Sequence, residues 1–187
     1  MDNITFSKEK CLIYSFGVGY DFSFEDQIIE HGCEVHSFDP SMIFMDHMRG
    51  KGVYFHRTGL MDKDSDDYWP FLGGFVKEPQ IWRVRTLESI MKDLEHQGRN
   101  LTVLKMDIEG SEWQFIEYLL YSAPHLLDKI HQLVIEWHIG ERQRRQIDAV
   151  STLSALFRRC TNFKLVHADY WKRDSEMHCF LTTFVNS

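Results

Sequence analysis

Two apolar runs, one ending in a pair of glycines and the next in an acid, restrict this chain more than any other feature. The first is Cys11-Leu12-Ile13-Tyr14-Ser15-Phe16, closed by Gly17-Val18-Gly19. The second is Glu34-Val35-His36-Ser37-Phe38, closed by Asp39-Pro40. A strand, a glycine turn, a short helix and an acid-terminated strand make half of a nucleotide-binding crevice. The glycines let backbone approach a ligand, and the carboxylate accepts hydrogen bonds from the two ribose hydroxyls. Asp39 lies 20 residues beyond Gly19, close to the roughly 20-residue spacing of a ribose-binding acid. An adenosine-containing cofactor is the first expectation.

Period and breakers continue the alternation. Ser23 caps a short helix from about Phe24 to Glu30, and Asp39-Pro40-Ser41 opens a second helix that runs towards Gly50. Residues 52–56 read as a third strand, and residues 61–79 as a long polar surface excursion. Thr86 starts a helix through Leu94, closed at Gly98, and a fourth strand spans Leu101 to Ile108. Ser111 and Glu112 begin a helix with Trp113, Ile116, Leu119 and Leu120 at helical spacing, ended near Pro124. The fifth strand covers Leu133 to His138, and the next helix places Ile147, Val150, Leu153 and Phe157 on one face. Phe163 to Tyr170 and His178 to Val185 read as two closing strands joined by a turn, which must pair antiparallel. The expectation is one α/β domain over residues 1–187, with its core at about 11–186. It has a mostly parallel sheet, helices on both faces and an antiparallel closing hairpin.

Composition excludes several partners. A net charge of -7 speaks against a nucleic-acid backbone, whose binding needs a basic face. The short basic run Arg142-Gln143-Arg144-Arg145 reads as a solvated helix start. No apolar stretch approaches the ~20 residues that span a bilayer. Residues 1–10 do not read as a secretory leader, so a secretory-lumen location would require one that has been removed. The compartment and the oligomeric state stay open. Cys11, Cys33, Cys160 and Cys179 form no C-x-x-C pair. Cys11 and Cys33 would open neighbouring strands and could bridge, but free buried thiols are the preferred expectation.

The glycine turn departs from the dinucleotide fingerprint, because the third glycine of G-x-G-x-x-G falls at Phe22. Together with the closing hairpin, this fits an S-adenosylmethionine methyltransferase better than a dehydrogenase. The fourth and fifth strands carry further motifs: Thr86-Leu87, then Lys105-Met106-Asp107-Ile108-Glu109-Gly110-Ser111-Glu112, then Val134-Ile135-Glu136-Trp137-His138. In that order they resemble the FkbM-type methyltransferase domain, and the opening resembles the animal methyltransferase-like proteins related to it. The resemblance covers roughly Cys11 to His138. It implies a Rossmann-like sheet of seven strands, S-adenosylmethionine as donor, and O-methylation of a small-molecule or glycan hydroxyl. The acid that usually opens the glycine motif is Ser15 here, and the usual third glycine is Asp21.

Strand alternation gives the polar residues their meaning. Lys105, Asp107 and Glu109 share one face of the fourth strand, and Glu136 and His138 share a face of the fifth. Ligands of open α/β sheets bind at the carboxyl ends of strands. His138 is the expected general base, Asp107 borders the methionine moiety or orients the acceptor, and Glu136 orients His138. Lys105 is expected to neutralise Asp107 or Glu136 beneath the crevice. The expected cofactor contacts are Ser15, Gly17, Gly19, Asp21, Asp39, Pro40, Leu60, Asp62 and Asp107. His167, Asp169, Tyr170 and Trp171 are candidates for an acceptor wall. His31, His47 and His96 read as solvated. A divalent metal held by Asp107, Glu136 and His138 suits the ligand types but is not the favoured reading. A nicotinamide-dependent oxidoreductase and a non-catalytic module that kept the crevice are the alternatives.

Overall fold

The five residues from Leu12 to Phe16 are all buried, and such a continuous apolar run forms a central strand only if both faces of a sheet are covered. The computed structural model, which describes residues 11–70, 72, 76–140, 161–172 and 177–186, places this strand, β1 (Leu12–Phe16), in the middle of an eight-stranded sheet. Its parallel part consists of β4 (Val53–His56), β2 (Glu34–Phe38), β1, β8 (Leu101–Met106) and β9 (Ile130–Gly140), in that spatial order. β11 (Met177–Asn186) runs antiparallel to β9, and β10 (Phe163–Lys172) antiparallel to β11, giving the expected closing hairpin.

The eighth strand corrects the expected count of seven. β3 (His47–Arg49) pairs antiparallel with β4 where a helix from Ser41 to Gly50 was expected. The Asp39 carboxylate accepts from the Ser41 N–H at 2.9 Å and from the Ser41 hydroxyl at 2.6 Å. This local turn competes with helix initiation. Further on, Asp46 accepts from the Arg57 N–H at 2.8 Å, and Arg49 forms a two-pronged ion pair with Asp26, tying β3 back to the domain.

Residues 61–79 also differ from the loop expected of them. β6 (Ser65–Tyr68) joins β5 (Gly59–Leu60) and β7 (Trp82–Arg85) in a second, three-stranded sheet. Gly59 packs closely there, since a β-carbon would lie 3.0 Å from the Pro40 ring and 3.1 Å from the Val84 side chain. Asp64 on the same excursion accepts from the Thr86 N–H at 2.8 Å and the Ser89 hydroxyl at 2.6 Å. Thr86 itself caps α2 (Leu87–Asp93) through Ser89 N–H. That helix ends before Gly98, with Glu95 in a left-handed conformation.

Alternation sorts the core into two sides. Leu12, Tyr14, Phe16, Leu104 and Met106 face α2 and α3 (Glu112–Tyr121), against Ile90, Met91, Phe115 and Ile116. Cys11, Ile13, Val35 and Val53 face α1 (Ser23–Ile28), against Phe24 and Ile28. Ser23 is the first residue of α1 rather than its cap; Phe22 stands at the cap position, and Asp21 before it accepts from the Ser23 N–H at 2.9 Å. Cys11 and Cys33 form a disulfide across the amino ends of β1 and β2, which replaces the expected free thiols. His96 is buried rather than solvated, its Nδ1 lying 2.7 Å from the Tyr14 hydroxyl. The expected helix carrying Ile147 to Phe157, and the basic run at Arg142, lie outside the described residues.

Candidate active site

The chain leaves β1, builds β2 and β4 on one side, then crosses back to β8 on the other. The carboxyl ends of β1 and β8 therefore flank the point where strand order reverses, the usual crevice of an open α/β sheet. A cleft of about 260 Å³ opens there, near the lower limit for a small-molecule site.

Two glycines shape its floor. Gly17 has φ +75°, and a β-carbon on it would sit 1.5 Å from the main-chain oxygen of Asp107. Gly19 has φ +59° and open space around it. The Gly19 N–H donates to Asp39 at 2.8 Å, so with the two Ser41 bonds the buried carboxylate ties the glycine turn to the Pro40-Ser41 turn. A carboxylate offers about four acceptor positions, and the protein fills three of these.

Of the expected cofactor contacts, Gly17, Gly19, Asp21, Asp39, Pro40, Leu60 and Asp107 line this cleft together. Ser15 and Asp62 do not. Ser15 is fully buried inside β1, where strand alternation turns it away from the opening, and Asp62 projects into solvent beyond β5. The second sheet adds a wall that sequence reasoning missed: Met61, Tyr68, Trp82 and Val84. The alternating Trp82-Arg83-Val84-Arg85 was its one legible signal.

The shared face of β8 and β9 does bring Asp107, Glu136 and His138 together. His138 Nε2 lies 3.5 Å from Asp107 Oδ1, 3.6 Å from Glu136 Oε1 and 3.7 Å from Glu109 Oε2. Glu112, whose part sequence reasoning missed, is 0 % exposed and lies 3.0 Å from His138 Nδ1. It also accepts from the Ile108 and Gly110 N–H groups, each at 2.9 Å, so three groups hold the Glu112 carboxyl in place. An acid two residues after a glycine, at the start of an amphipathic helix, was the signal available. Glu109 adopts φ 52°, a left-handed conformation uncommon outside glycine, next to Gly110.

Electrostatics follow from that geometry. Burial pulls His138 down, but the hydrogen bond and charge of Glu112, with Glu109 and Asp107 beyond it, bring its pKa up to about 9. Burial, and then repulsion from Glu136, push the Asp107 carboxyl up to about 7. Lys105 forms no ion pair among the described residues, contrary to expectation; its ammonium lies 5.8 Å from the centre of the Phe24 ring on the α1 side. His167, Asp169 and Tyr170 stand exposed on the edge strand β10 and do not line the cleft. The Trp171 side chain lies outside the described residues.

The model of a family described as a methyltransferase domain matches residues 2–185. The chain belongs to that family. Membership of a methyltransferase-domain family speaks against the nicotinamide alternative. The chain is 32% identical over 132 residues to probable methyltransferase-like protein 24 of Homo sapiens, covering 70% of this chain and 33% of that protein. The Rattus norvegicus counterpart is also 32% identical over 132 residues, covering 70% and 34%. The match thus spans about a third of the length of these curated relatives. A solved structure of M. capricolum TrmK in complex with S-adenosyl-homocysteine gives a TM-score of 0.44 at 10% identity, over 97% of this chain and 64% of that one. Among the described residues, no helix of the methyltransferase domain is long and apolar enough to cross a membrane.

Proposed function

We propose that this domain transfers the methyl group of S-adenosylmethionine to a hydroxyl of a small or carbohydrate-like acceptor, as its resemblance to the FkbM-type domain implies. The observation that carries the proposal is the position of Asp107. It lines the cleft beside Gly17, and it also belongs to the carboxylate–imidazole cluster around His138. One residue thus joins the cleft to a cluster able to act on an acceptor proton.

In this reading Gly17, Gly19, Asp39 and Pro40 border the ribose, and Leu60, Met61, Tyr68 and Trp82 form the wall against the adenine. Asp39 is pre-organised by its bonds to Gly19 and Ser41, so a ribose hydroxyl meets a carboxylate already fixed in direction. Methyl transfer needs little covalent help, because the sulfonium already activates the methyl group. The protein must align donor and acceptor and let the hydroxyl lose its proton. His138, the base expected from its ordinary pKa, does not border the cleft. Proton acceptance therefore falls to the carboxylates in front of it, Asp107 and Glu109, with Glu136, Glu112 and His138 holding them in place. The Cys11–Cys33 disulfide supports residence in an oxidising compartment, where such bonds persist.

Calorimetric titration with S-adenosylmethionine and S-adenosylhomocysteine tests the donor half. Binding of both by the folded domain is expected, and binding of neither rejects the proposal. Transfer of labelled methyl into small-molecule and glycan fractions tests the acceptor half; label recovered only on protein nitrogen would reject a hydroxyl acceptor.

A further inference from the structure

The cluster around His138 holds one basic ring among four carboxylates: Asp107, Glu109, Glu112 and Glu136. Glu112 is accounted for by its three donors. The other three carboxylates lie 3.5 to 3.7 Å from Nε2, beyond good hydrogen-bonding distance. The His138 side chain is only 3% exposed, and its Nε2 has no hydrogen-bond partner among the described residues. A buried ring nitrogen without a hydrogen-bond partner is costly. That cost vanishes if an electron-accepting ion sits between the ring and the carboxylates.

The arrangement behind the ring points the same way. Histidines that ligate metals commonly donate their other N–H to a carboxylate, which fixes the tautomer and directs the free nitrogen at the ion. Glu112 stands in that relation to His138 Nδ1, and two main-chain N–H groups fix Glu112 in turn.

We propose that Asp107, Glu109 and His138 form a divalent-cation site at the edge of the cofactor cleft, with Glu136 beside them as a fourth ligand or as a partner to bound water. One oxygen or nitrogen from each of the three lies within 4.8 Å of the others. Around an ion with bonds of about 2.1 Å, ligand atoms stand about 3.0 to 3.4 Å apart. The separations of His138 Nε2 from Asp107 and Glu109, 3.5 and 3.7 Å, exceed that range by only a few tenths of an ångström. The carboxylates can close that gap, because Asp107 and Glu109 are 30% and 24% exposed in their side chains. One imidazole with carboxylates suits an ion of intermediate hardness such as Mn²⁺.

Asp107 and Glu109 both line the cleft, so the open side of the site faces the place where an acceptor must lie. A hydroxyl bound there would be acidified by the ion, and the carboxylates would act on it through the ion. That consequence rests on the methyl-transfer reading; the cation site itself does not.

The test uses the domain stripped with chelator, dialysed, and titrated with MnCl₂ while free Mn²⁺ is followed by electron paramagnetic resonance. One ion per chain is expected in the wild type. Glu109→Gln and Asp107→Asn should each weaken binding at least tenfold, and Glu112→Gln should weaken it by a similar factor through the ring it orients. Asp66→Asn, on the acidic excursion away from the cluster, should leave binding unchanged. Circular dichroism melting of each variant separates lost binding from lost folding, and the near-isosteric Glu109→Gln keeps the test open if Glu112→Gln does not fold. No bound Mn²⁺ at millimolar concentration overturns the site, as does wild-type affinity in both Glu109→Gln and Asp107→Asn. S-adenosylhomocysteine binding without Mn²⁺ binding would sink the cation site and spare the methyl-transfer reading. The converse result would do the opposite.

Discussion

Gly17 and Asp107 touch backbone to backbone: a β-carbon at Gly17 would lie 1.5 Å from the Asp107 carbonyl oxygen. The first glycine of the turn is thus needed by the protein before any ligand arrives. The contact locks the carboxyl end of β1 to the segment that carries Asp107 and Glu109. Gly17→Ala combines a main-chain collision with a left-handed φ, and neither can be relieved without moving β8. We expect it to destabilise the domain by about 3 kcal/mol or more and to abolish S-adenosylhomocysteine binding. Gly19→Ala meets open space and only the backbone penalty, about 1 kcal/mol. Urea denaturation of the two variants checks the ordering, and equal destabilisation would contradict it.

Asp39 has two duties in this account, and substitutions can separate them. Asp39→Ala removes the acceptor for the Gly19 N–H and for both Ser41 donors. Net hydrogen bonds to a charged group contribute about 1.5 to 3 kcal/mol each, with strong overlap among three on one carboxylate. A loss of about 3 kcal/mol in stability, and at least a tenfold loss in cofactor affinity, is expected. Ser41→Ala removes one hydroxyl donor and leaves the ribose-facing oxygen in place, so affinity should fall less than threefold. Calorimetry on both variants decides; a Ser41→Ala defect as large as that of Asp39→Ala would mean the turn, not the carboxylate, matters to binding.

Much of the fold was legible because burial and period coincide in β1, β2, β8 and β9, whose apolar runs leave little choice of partner. Asp107, Glu136 and His138 were legible for the same reason: period-2 alternation put them on one face. The elements that were missed depend on polar side chains bonding to distant or local backbone. Asp39 turns the chain at Ser41 and stops a helix that Pro40 and Ser41 would otherwise start well. Asp64 captures Thr86 and Ser89 across 22 and 25 positions, and that contact brings the polar excursion back as a wall of the cleft. Glu112 read only as a helix-start acid because two of its three donors are main-chain groups, at Ile108 and Gly110, which residue pattern does not show.

The disulfide offers a third expectation. Cys11 and Cys33 are 22 positions apart, and closing a loop of that length restricts the unfolded chain by on the order of 3 kcal/mol. Cys11→Ser with Cys33→Ser should lower stability by about that amount while leaving the cleft intact, since the bridge lies at the opposite ends of the strands. Alkylation and intact-mass measurement on protein from an oxidising host should find both cysteines blocked. Free thiols at both positions would refute the bridge.

Acid sensitivity should come from the histidines on the α2 side of β2. His36 lies 2.9 Å from Glu34 through Nε2 and 2.9 Å from His56 through Nδ1. Tyr14, Tyr54, His96 and Arg99 surround the same group, with Arg99 paired to Glu34 at 2.6 Å. Because Glu34 only accepts, His36 Nε2–H donates to it; with the His36 ring neutral, its Nδ1 then accepts from His56 Nε2–H. Burial lowers the His36 pKa to about 4, outweighing the raising effect of Glu34; repulsion from His56 and His96 adds to the lowering. Burial lowers His56 and His96 as well. The unfolded chain therefore binds protons that the folded chain refuses. This stability is intact above about pH 6.5, and it is lost as pH falls towards about 4, by up to about 3 kcal/mol for His36 alone. Glu34, held below its usual range, extends the loss at the acid end. Denaturation free energies at pH 7.5, 6.5, 5.5 and 4.5 should fall steadily in the wild type and less steeply in His36→Gln. Identical slopes in the two proteins would remove His36 from the explanation.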